Sequence, residues 1–304
     1  MTRVATVPIQ RNLASAMQKA QAKLAETQLQ LQTTKKASNY ADLGTEAVRT
    51  LSAHTMLARE DAQSTVAKRV GTTLSLYQAN IEAVQDSMTS LKNDILTAIG
   101  TGDAGALQDA MNQAFAQYRG ALNASEGGSS LFGGSQIDGT PFSPSSLADV
   151  ATTSADDAFH DDQIKATARV GDNVDMTYGV TASGLGKDMY AAFQTMAAMG
   201  NIEQGGKLTD DQKTALAQVA DQITAGMKSV SNVNALNGRN QAQIDTLTKR
   251  SDERSLLLEG VIADNEDADL GQVAIDITQQ QTVLQASYSV FSQLSGLSLI
   301  NYLK

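Results

Sequence analysis

Asp269-Leu-Gly-Gln-Val-Ala-Ile-Asp-Ile-Thr-Gln-Gln-Gln-Thr-Val-Leu-Gln-Ala-Ser-Tyr-Ser-Val-Phe-Ser-Gln-Leu-Ser-Gly-Leu-Ser-Leu-Ile-Asn-Tyr-Leu-Lys304 closes the chain with a single repeating rhythm. Val273, Ile277, Gln280, Leu284, Ser287, Phe291 and Leu294 are spaced by alternating steps of four and three. That spacing lays one narrow, mainly apolar seam along a helix, as in a coiled-coil strand. At the other end Leu13, Met17, Ala20, Leu24, Thr27 and Leu31 repeat it. Two seamed helices from opposite termini can bury their stripes against each other. The intervening chain is then an excursion that leaves this pair and returns to it.

Working inward, the first helix is expected from about Asn12 to Lys36. Met1–Gln10 has no period, and Pro8 suits a position just before the helix begins. Ala37–Gly44 has turn chemistry and should break or kink the chain. A second helix starts near Thr45, with Val48 and Leu51 on its early face. Its seam, Val70, Leu74, Tyr77, Ile81, Val84, Met88, Leu91, Ile95 and Ala98, keeps the rhythm without a miss, which predicts a long helix in a left-handed supercoil. Gly71 inside it costs roughly 1 kcal/mol relative to Ala unless close packing offsets it.

After Gly100, Gly102 and Gly105 a shorter amphipathic helix carries Leu107, Met111, Phe115, Tyr118 and Leu122 on one face. Gly127 to Gly139 is rich in glycine and breaks helix. From Ile164 the period becomes two, and Gly171-Asp172-Asn173 divides the runs, which reads as a β-hairpin. Helical pattern resumes at Asp188, and another long helix begins near Thr209 with Leu216, Val219, Ile223, Met227 and Val230 on its seam. Further on, Asn237, Gln241 and Ser251 interleave with Ile244 and Leu247, so this seam turns polar.

The fold class is therefore mainly α: long antiparallel coiled-coil helices from both termini with a small β-rich insertion. The expected segments are 1–44, the N-terminal helix; 45–126, half of a helical rod; 127–186, the insertion; 187–263, the other half; and 264–304, the C-terminal helix. Aromatics make up only 4% of the 304 residues and there is no Trp, which suits helices packed along seams better than one thick core.

The net charge of −10 argues against nucleic acid, whose phosphates need a basic footprint. With no cysteine, disulfides, thiolate metal sites and a cysteine nucleophile are excluded. Met1–Gln10 lacks the pattern of a cleaved signal peptide, and no apolar run is long enough to insert in a membrane. Asp156-Asp157-Ala158-Phe159-His160-Asp161-Asp162 is the one cluster resembling a hard-cation site, and a solvated acidic loop explains it as well. No metal, cofactor or catalytic residue is assigned, and the chain is not expected to be an enzyme.

What remains is association. Leu29, Leu297, Leu299, Ile300, Tyr302 and Leu303 are more than one partner helix can cover, so neighbouring subunits are the natural cover. Head-to-tail contacts of that kind generate rings or helical tubes.

The run Gln280-Gln-Thr-Val-Leu-Gln-Ala-Ser-Tyr288, followed by Phe291 and Gly296-Leu-Ser-Leu299, closely resembles the end of the FlgL-type (hook-associated protein 3) family of the flagellin superfamily. Gly128-Ser-Ser-Leu-Phe-Gly-Gly134 resembles that family's turn into its insertion. Thr140-Pro-Phe-Ser143 and Leu29–Lys36 are similar to further stretches of it. Where the family commonly has Asp-Asp-Pro, this chain has Asn39-Tyr-Ala-Asp-Leu-Gly44.

The resemblance implies a secreted subunit of the bacterial flagellum, exported by the flagellar type III route and set at the hook–filament junction. Its partners would be copies of itself, hook-associated protein 1, flagellin and a flagellar export chaperone. The assembly interface it implies runs through Leu13, Met17, Leu24, Leu31, Leu284, Phe291, Leu294 and Leu297, and the rod core through Val70, Leu74, Tyr77, Ile81, Val84, Met88 and Leu91. The alternatives are a filament-forming flagellin, a metal-binding module in the insertion, and a cytoplasmic coiled-coil signalling rod.

Overall fold

A computed structural model describes residues 3–203 and 205–300, with the side chains of 3–7, 9–10 and 294–300 left out of the description. Among the described residues, eight α-helices and two small β-hairpins follow one another in the order α1 Arg3–Thr33, α2 Glu46–Thr101, α3 Leu107–Leu122, β1 Ser125–Glu126, β2 Ser129–Ser130, α4 Leu147–Val150, α5 Ala155–Ala158, β3 Ala166–Gly171, β4 Val174–Tyr178, α6 Ala182–Ala198, α7 Asp210–Glu266 and α8 Leu270–Ile300. Two compact units emerge, Met1–Arg59 with Glu253–Lys304, and Glu60–Asp252.

In the terminal unit α1 and α8 pack along each other. Thr27 Oγ1 donates to Lys23 O (2.8 Å) and also approaches Gln280 Oε1 at 3.2 Å, while Gln21 Nε2 donates to the Tyr288 hydroxyl, which sets the two helices antiparallel. On α1, Leu13, Met17, Ala20 and Leu24 are half-buried and Thr27 is buried; on α8, Val273 and Leu284 are buried. Helix α1 begins earlier than the sequence suggested, at Arg3, and holds Pro8 inside it. A proline this close to a helix start removes one ladder bond, and the turns after it continue.

Helix α1 ends at Thr33 rather than Lys36, because Thr34 turns to the left-handed conformation at φ 59°. Strand-like stitches hold this reversal: Lys36 N donates to Glu266 O (2.6 Å) and Ala268 N to Thr34 O (2.9 Å). A 3-10 turn over Tyr40–Leu43 follows, capped by Asn39 and closed by Gly44 at φ 57°. Beyond it, Asn265 Nδ2 donates to the buried Thr50 Oγ1 (3.1 Å), joining the start of α2 to the end of α7.

The inner unit holds the continuous core. All of Val70, Leu74, Tyr77, Ile81, Val84, Met88 and Leu91 are buried there, as are Met111, Phe115, Tyr118 and Leu122 of α3 and Leu216, Val219 and Ile223 of α7. The α7 seam turns polar as its sequence indicates. Asn237, 2% exposed, donates to Leu74 O (2.9 Å) and Gln78 Oε1 (3.2 Å), and Gln241 Nε2 to Leu74 O (3.1 Å). Gly71 sits opposite this seam, where a Cβ would lie 3.3 Å from Ile244 Cγ2.

Residues 127–186 carry less strand than the alternation suggests. Strands β3 and β4 pair antiparallel, Ala168 opposite Met176, around a turn with Asn173 at φ 54°. Val170 and Met176 are buried, but Ile164 precedes the strand and is 62% exposed. The rest is the two-residue strand β2, turns, the one-turn helices α4 and α5, and the first residues of α6. Phe132, Phe142 and Phe159 from this stretch join the same buried cluster as α3 and α6, with Phe142 at 5.3 Å edge-on to Tyr118.

Helix α6 begins at Ala182, not Asp188. Thr181 caps it, its Oγ1 accepting from Gly184 N (3.2 Å), and the glycines that read as breakers lie within the helix. Gly186 is required by packing. A Cβ there would stand 2.3 Å from the Tyr118 hydroxyl, which donates to Gly186 O at 2.8 Å.

Candidate assembly interface

Among the described residues, exposed apolar side chains gather in the terminal unit. It has little more than a third of the residues, yet it carries fourteen of the eighteen large hydrophobic side chains that stand exposed among the described residues. The connected core lies wholly in the other unit, while the terminal unit fully buries only Ala53, Ile262, Val273 and Leu284 among its described apolar residues. Single exposed apolar residues are ordinary on a protein surface, but this concentration is not.

The seam explains the imbalance. A two-helix pair buries one stripe per helix, so any apolar residue off the stripe stays in water. On α1 Leu29 (44% exposed) lies off the stripe, and so does Leu31 (46%), which the spacing puts on the seam, because Gln30 takes the half-buried place after Thr27. On α8 Leu270 (45%), Ile275 (61%), Val283 (48%), Tyr288 (47%) and Val290 (47%) are exposed.

Of the residues the resemblance implies for assembly, Leu13, Met17 and Leu24 are half-buried in the pair, and Leu284 is buried in it. Leu31 and Phe291 (38%) are exposed at its margins, whereas Leu294 and Leu297 lie outside the described side chains.

The early part of α2 differs from the sequence expectation. Val48 is 74% exposed and Leu51 46%, because the buried stripe there runs through Thr50 and Ala53 with His54 and Leu57 half-buried. On α7, Leu256 and Leu257 are 68% and 72% exposed. Sequence reading passed over these two leucines. The signal was present in Leu256-Leu257-Leu258, a run of three of which a helix seam can take only one.

Polar groups knit the reversals of the terminal unit. His54 Nε2 lies 2.7 Å from Glu266 Oε1, and Lys35 Nζ lies 3.4 Å from Glu266 Oε2 and 2.6 Å from Asp267 Oδ1. The hydrogen bond to Asp267 is the main reason the Lys35 ammonium is held above its ordinary pKa.

The acidic cluster is dispersed rather than convergent. Asp156 pairs with Lys187 (2.7 Å), which draws its carboxyl below the ordinary range. Asp157 accepts from Ser154 Oγ (2.7 Å) at the start of α5, and Asp161 accepts from Ser183 N (2.9 Å) and Oγ (2.7 Å). Asp162 accepts from the Ser135 hydroxyl, Ser135 N (2.8 Å) and Ile164 N (3.0 Å), and the serine bonds hold its pKa down. Each carboxylate has a structural task at a different place.

Among the described residues no group of His, Asp and Glu is arranged to hold a metal ion, and no helix is long and apolar enough to cross a membrane. A surface cleft of about 430 Å³ is lined by Asp94, Thr97, Thr101 and Asp103, all exposed, and gathers no buried charge.

No protein-family model matches the chain, and no curated protein matches it either. Solved structures do. A Vibrio parahaemolyticus protein assigned as a flagellar hook-associated protein superposes with a TM-score of 0.58 at 14% identity, over 74% of this chain and 100% of its own. Bacillus cereus FlgL superposes with a TM-score of 0.57 at 14% identity, over 70% of this chain and 99% of its own. The mainly α fold with its small hairpins is the fold of those two proteins.

Proposed function

We propose that this chain is a structural subunit of the bacterial flagellum that joins the hook to the flagellin filament. The observation that carries the reading is the uncovered apolar surface of the terminal unit, on a fold shared with hook-associated proteins. A subunit finished as a monomer has no use for the fourteen exposed large hydrophobics that the described residues of the terminal unit carry. A subunit that closes into a ring or tube covers them with its neighbours.

In this reading the segments 1–44 and 264–304 assemble, 45–126 and 187–263 form the rod, and 127–186 decorates it. Leu13, Met17, Leu24, Leu31, Leu284, Phe291, Leu294 and Leu297 serve the assembled interface, and the rod core from Val70 to Leu91 keeps the subunit stiff. The partners are copies of this chain, hook-associated protein 1 on one side and flagellin on the other, with an export chaperone before assembly. Export follows the flagellar type III route to the cell exterior. No catalytic step is part of this role.

Deleting the gene and imaging the flagella by electron microscopy tests it. Hooks without filaments, with flagellin shed into the medium, are the expected result. Filaments of normal length on the deletion strain would remove the junction role. Growth of the purified protein into long polymers on filament seeds would make it a filament subunit instead.

A further inference from the structure

The chain has one Asn-Gly pair, Asn237-Gly238, and one Asp-Gly pair, Asp138-Gly139. Both are chemically labile, because glycine puts no side chain in the way when its nitrogen closes on the preceding side-chain carbonyl. Near neutral pH the asparagine pair is intrinsically the faster. A neutral amide can release ammonia, whereas an ionised carboxylate must gain a proton before it can release water.

The fold treats the two pairs oppositely. Gly238 lies inside α7, so its N–H belongs to the helical ladder, and ring closure would require Asn237 to leave the helical ψ of about −42°. Asn237 is also only 2% exposed, and its amide is held by the bonds it donates to Leu74 O (2.9 Å) and Gln78 Oε1 (3.2 Å). Asp138 and Gly139 stand outside any helix or strand, and both are exposed. Among the described residues no group accepts from Gly139 N or bonds the Asp138 carboxylate. A Cβ added at Gly139 would meet nothing within 4 Å.

We infer that Asp138 is a site of spontaneous backbone isomerisation, which the fold selects over the more reactive Asn237. Gly139 N attacks Cγ of the protonated Asp138 carboxyl. A C–N bond forms, the nitrogen gives up its proton, and one water leaves to close a five-membered succinimide. Water then adds to one of the two ring carbonyls. Opening at Cγ restores Asp138, and opening at the backbone carbonyl leaves an isoaspartyl link that runs through Cβ. One water leaves and one enters, so no other reactant is needed. The new link is one methylene longer and carries its carboxylate on Cα. It falls between two anchors, Ile137 O accepting from Ser130 N (2.9 Å) and Pro141 O accepting from His160 N (2.8 Å). Asp138, Gly139 and Thr140 between them are exposed, so the added length leaves the buried cluster intact. The inference does not depend on the junction role.

Ageing the purified full-length chain for weeks near neutral pH and physiological temperature, in water enriched in oxygen-18, tests it. Peptide mass spectrometry reads the label. Methyl transfer from S-adenosylmethionine by an isoaspartyl-specific methyltransferase reads the product. The peptide holding Asp138 should gain heavy oxygen and become a methyl acceptor, while the peptide holding Asn237 keeps its amide. Helical circular dichroism and the urea midpoint of the aged chain should match those of the fresh one. In urea the order should reverse, with Asn237 reacting at least tenfold faster than Asp138. Asp138→Glu, whose ring would need six members, should remove the methyl acceptance without altering the fold. No label at Asp138 in the folded chain, over a period in which the unfolded chain takes it up, overturns the inference. So does Asn237 losing its amide in the folded chain as fast as Asp138 takes up label, or methyl acceptance that survives Asp138→Glu unchanged.

Discussion

Two glycines show how little separates a required residue from a tolerated one. At Gly186 an added methyl group would meet the Tyr118 hydroxyl and ring at 2.3 and 3.0 Å, and that hydroxyl is fixed by its bond to Gly186 O. Gly186→Ala should destabilise the inner unit by about 2 kcal/mol through overpacking, measured by urea denaturation. At Gly71 the methyl would meet only Ile244 Cγ2, at 3.3 Å, and an alanine gains about 1 kcal/mol of helix propensity. Gly71→Ala should fall within about 1 kcal/mol of wild type.

The phenols belong to the same scale. Burial pushes Tyr77 and Tyr190 up to about 12 and Tyr118 well above its ordinary value. Below pH 10 all three are neutral whether the chain is folded or not, so stability is unaffected. As pH rises from 10 towards 12 the unfolded chain loses protons that the folded chain keeps, and stability falls by roughly 3 kcal/mol for each fully lagging group. Tyrosinate absorbance should accordingly rise in two stages, with the second coinciding with loss of helical circular dichroism. A single stage completed while the helix signal is intact would show these hydroxyls to be open to solvent.

At the scale of an element, the contact between α2 and α7 is set by a polar layer as well as an apolar stripe. Asn237 uses both amide protons on α2, but its Oδ1 is buried with no partner. An orphaned acceptor of this kind costs about 1–3 kcal/mol, against roughly 1 kcal/mol gained from each bond made. Asn237→Leu should therefore raise stability by about 1 kcal/mol in denaturant titration. A lower midpoint would mean that the two donated bonds outweigh the orphan. A polar residue at a seam position is a known device for fixing register, which is a reason for a chain to carry it at some loss of stability.

How legible these elements were depended on whether local pattern or distant packing decided them. The four-three seams could be read directly from Leu13 to Thr27 on α1, from Val70 to Ala98 on α2 and from Val273 to Ser287 on α8, since periodicity is a property of the sequence itself, whereas Leu31 and Phe291 at the seam ends are exposed. The start of α6 could not, because Gly184 and Gly186 look like breakers until Tyr118, far away in sequence, is placed against them. Val48 and Leu51 were read as inward for the opposite reason. They are apolar, but Thr50 and Ala53 occupy the buried stripe, and small or hydroxylated seam residues leave a weak signal. Of the candidate interface, most of the terminal seams were legible, and the exposure of Val48, Leu51, Leu256 and Leu257 became visible only once the stripe was fixed.

At the scale of the whole molecule, the two units differ in what holds them. Buried apolar surface contributes about 25 cal/mol per Å², so a unit with four buried apolar residues among its described ones has much less to lose on opening than one built on a continuous cluster. Amides of α1 and α8 in the isolated chain should exchange with solvent at least a hundredfold faster than those of α3, α6 and the α2 segment from Val70 to Ala98. That ratio corresponds to a difference of about 2.7 kcal/mol in opening free energy. Hydrogen–deuterium exchange read by mass spectrometry measures it segment by segment. Assembly should slow exchange in α1 and α8 and leave the inner unit unchanged, because only the former gain cover. Equal protection of both units in the dilute chain would mean that the terminal pair is complete without neighbours, and the case for a polymerising surface would fall with it.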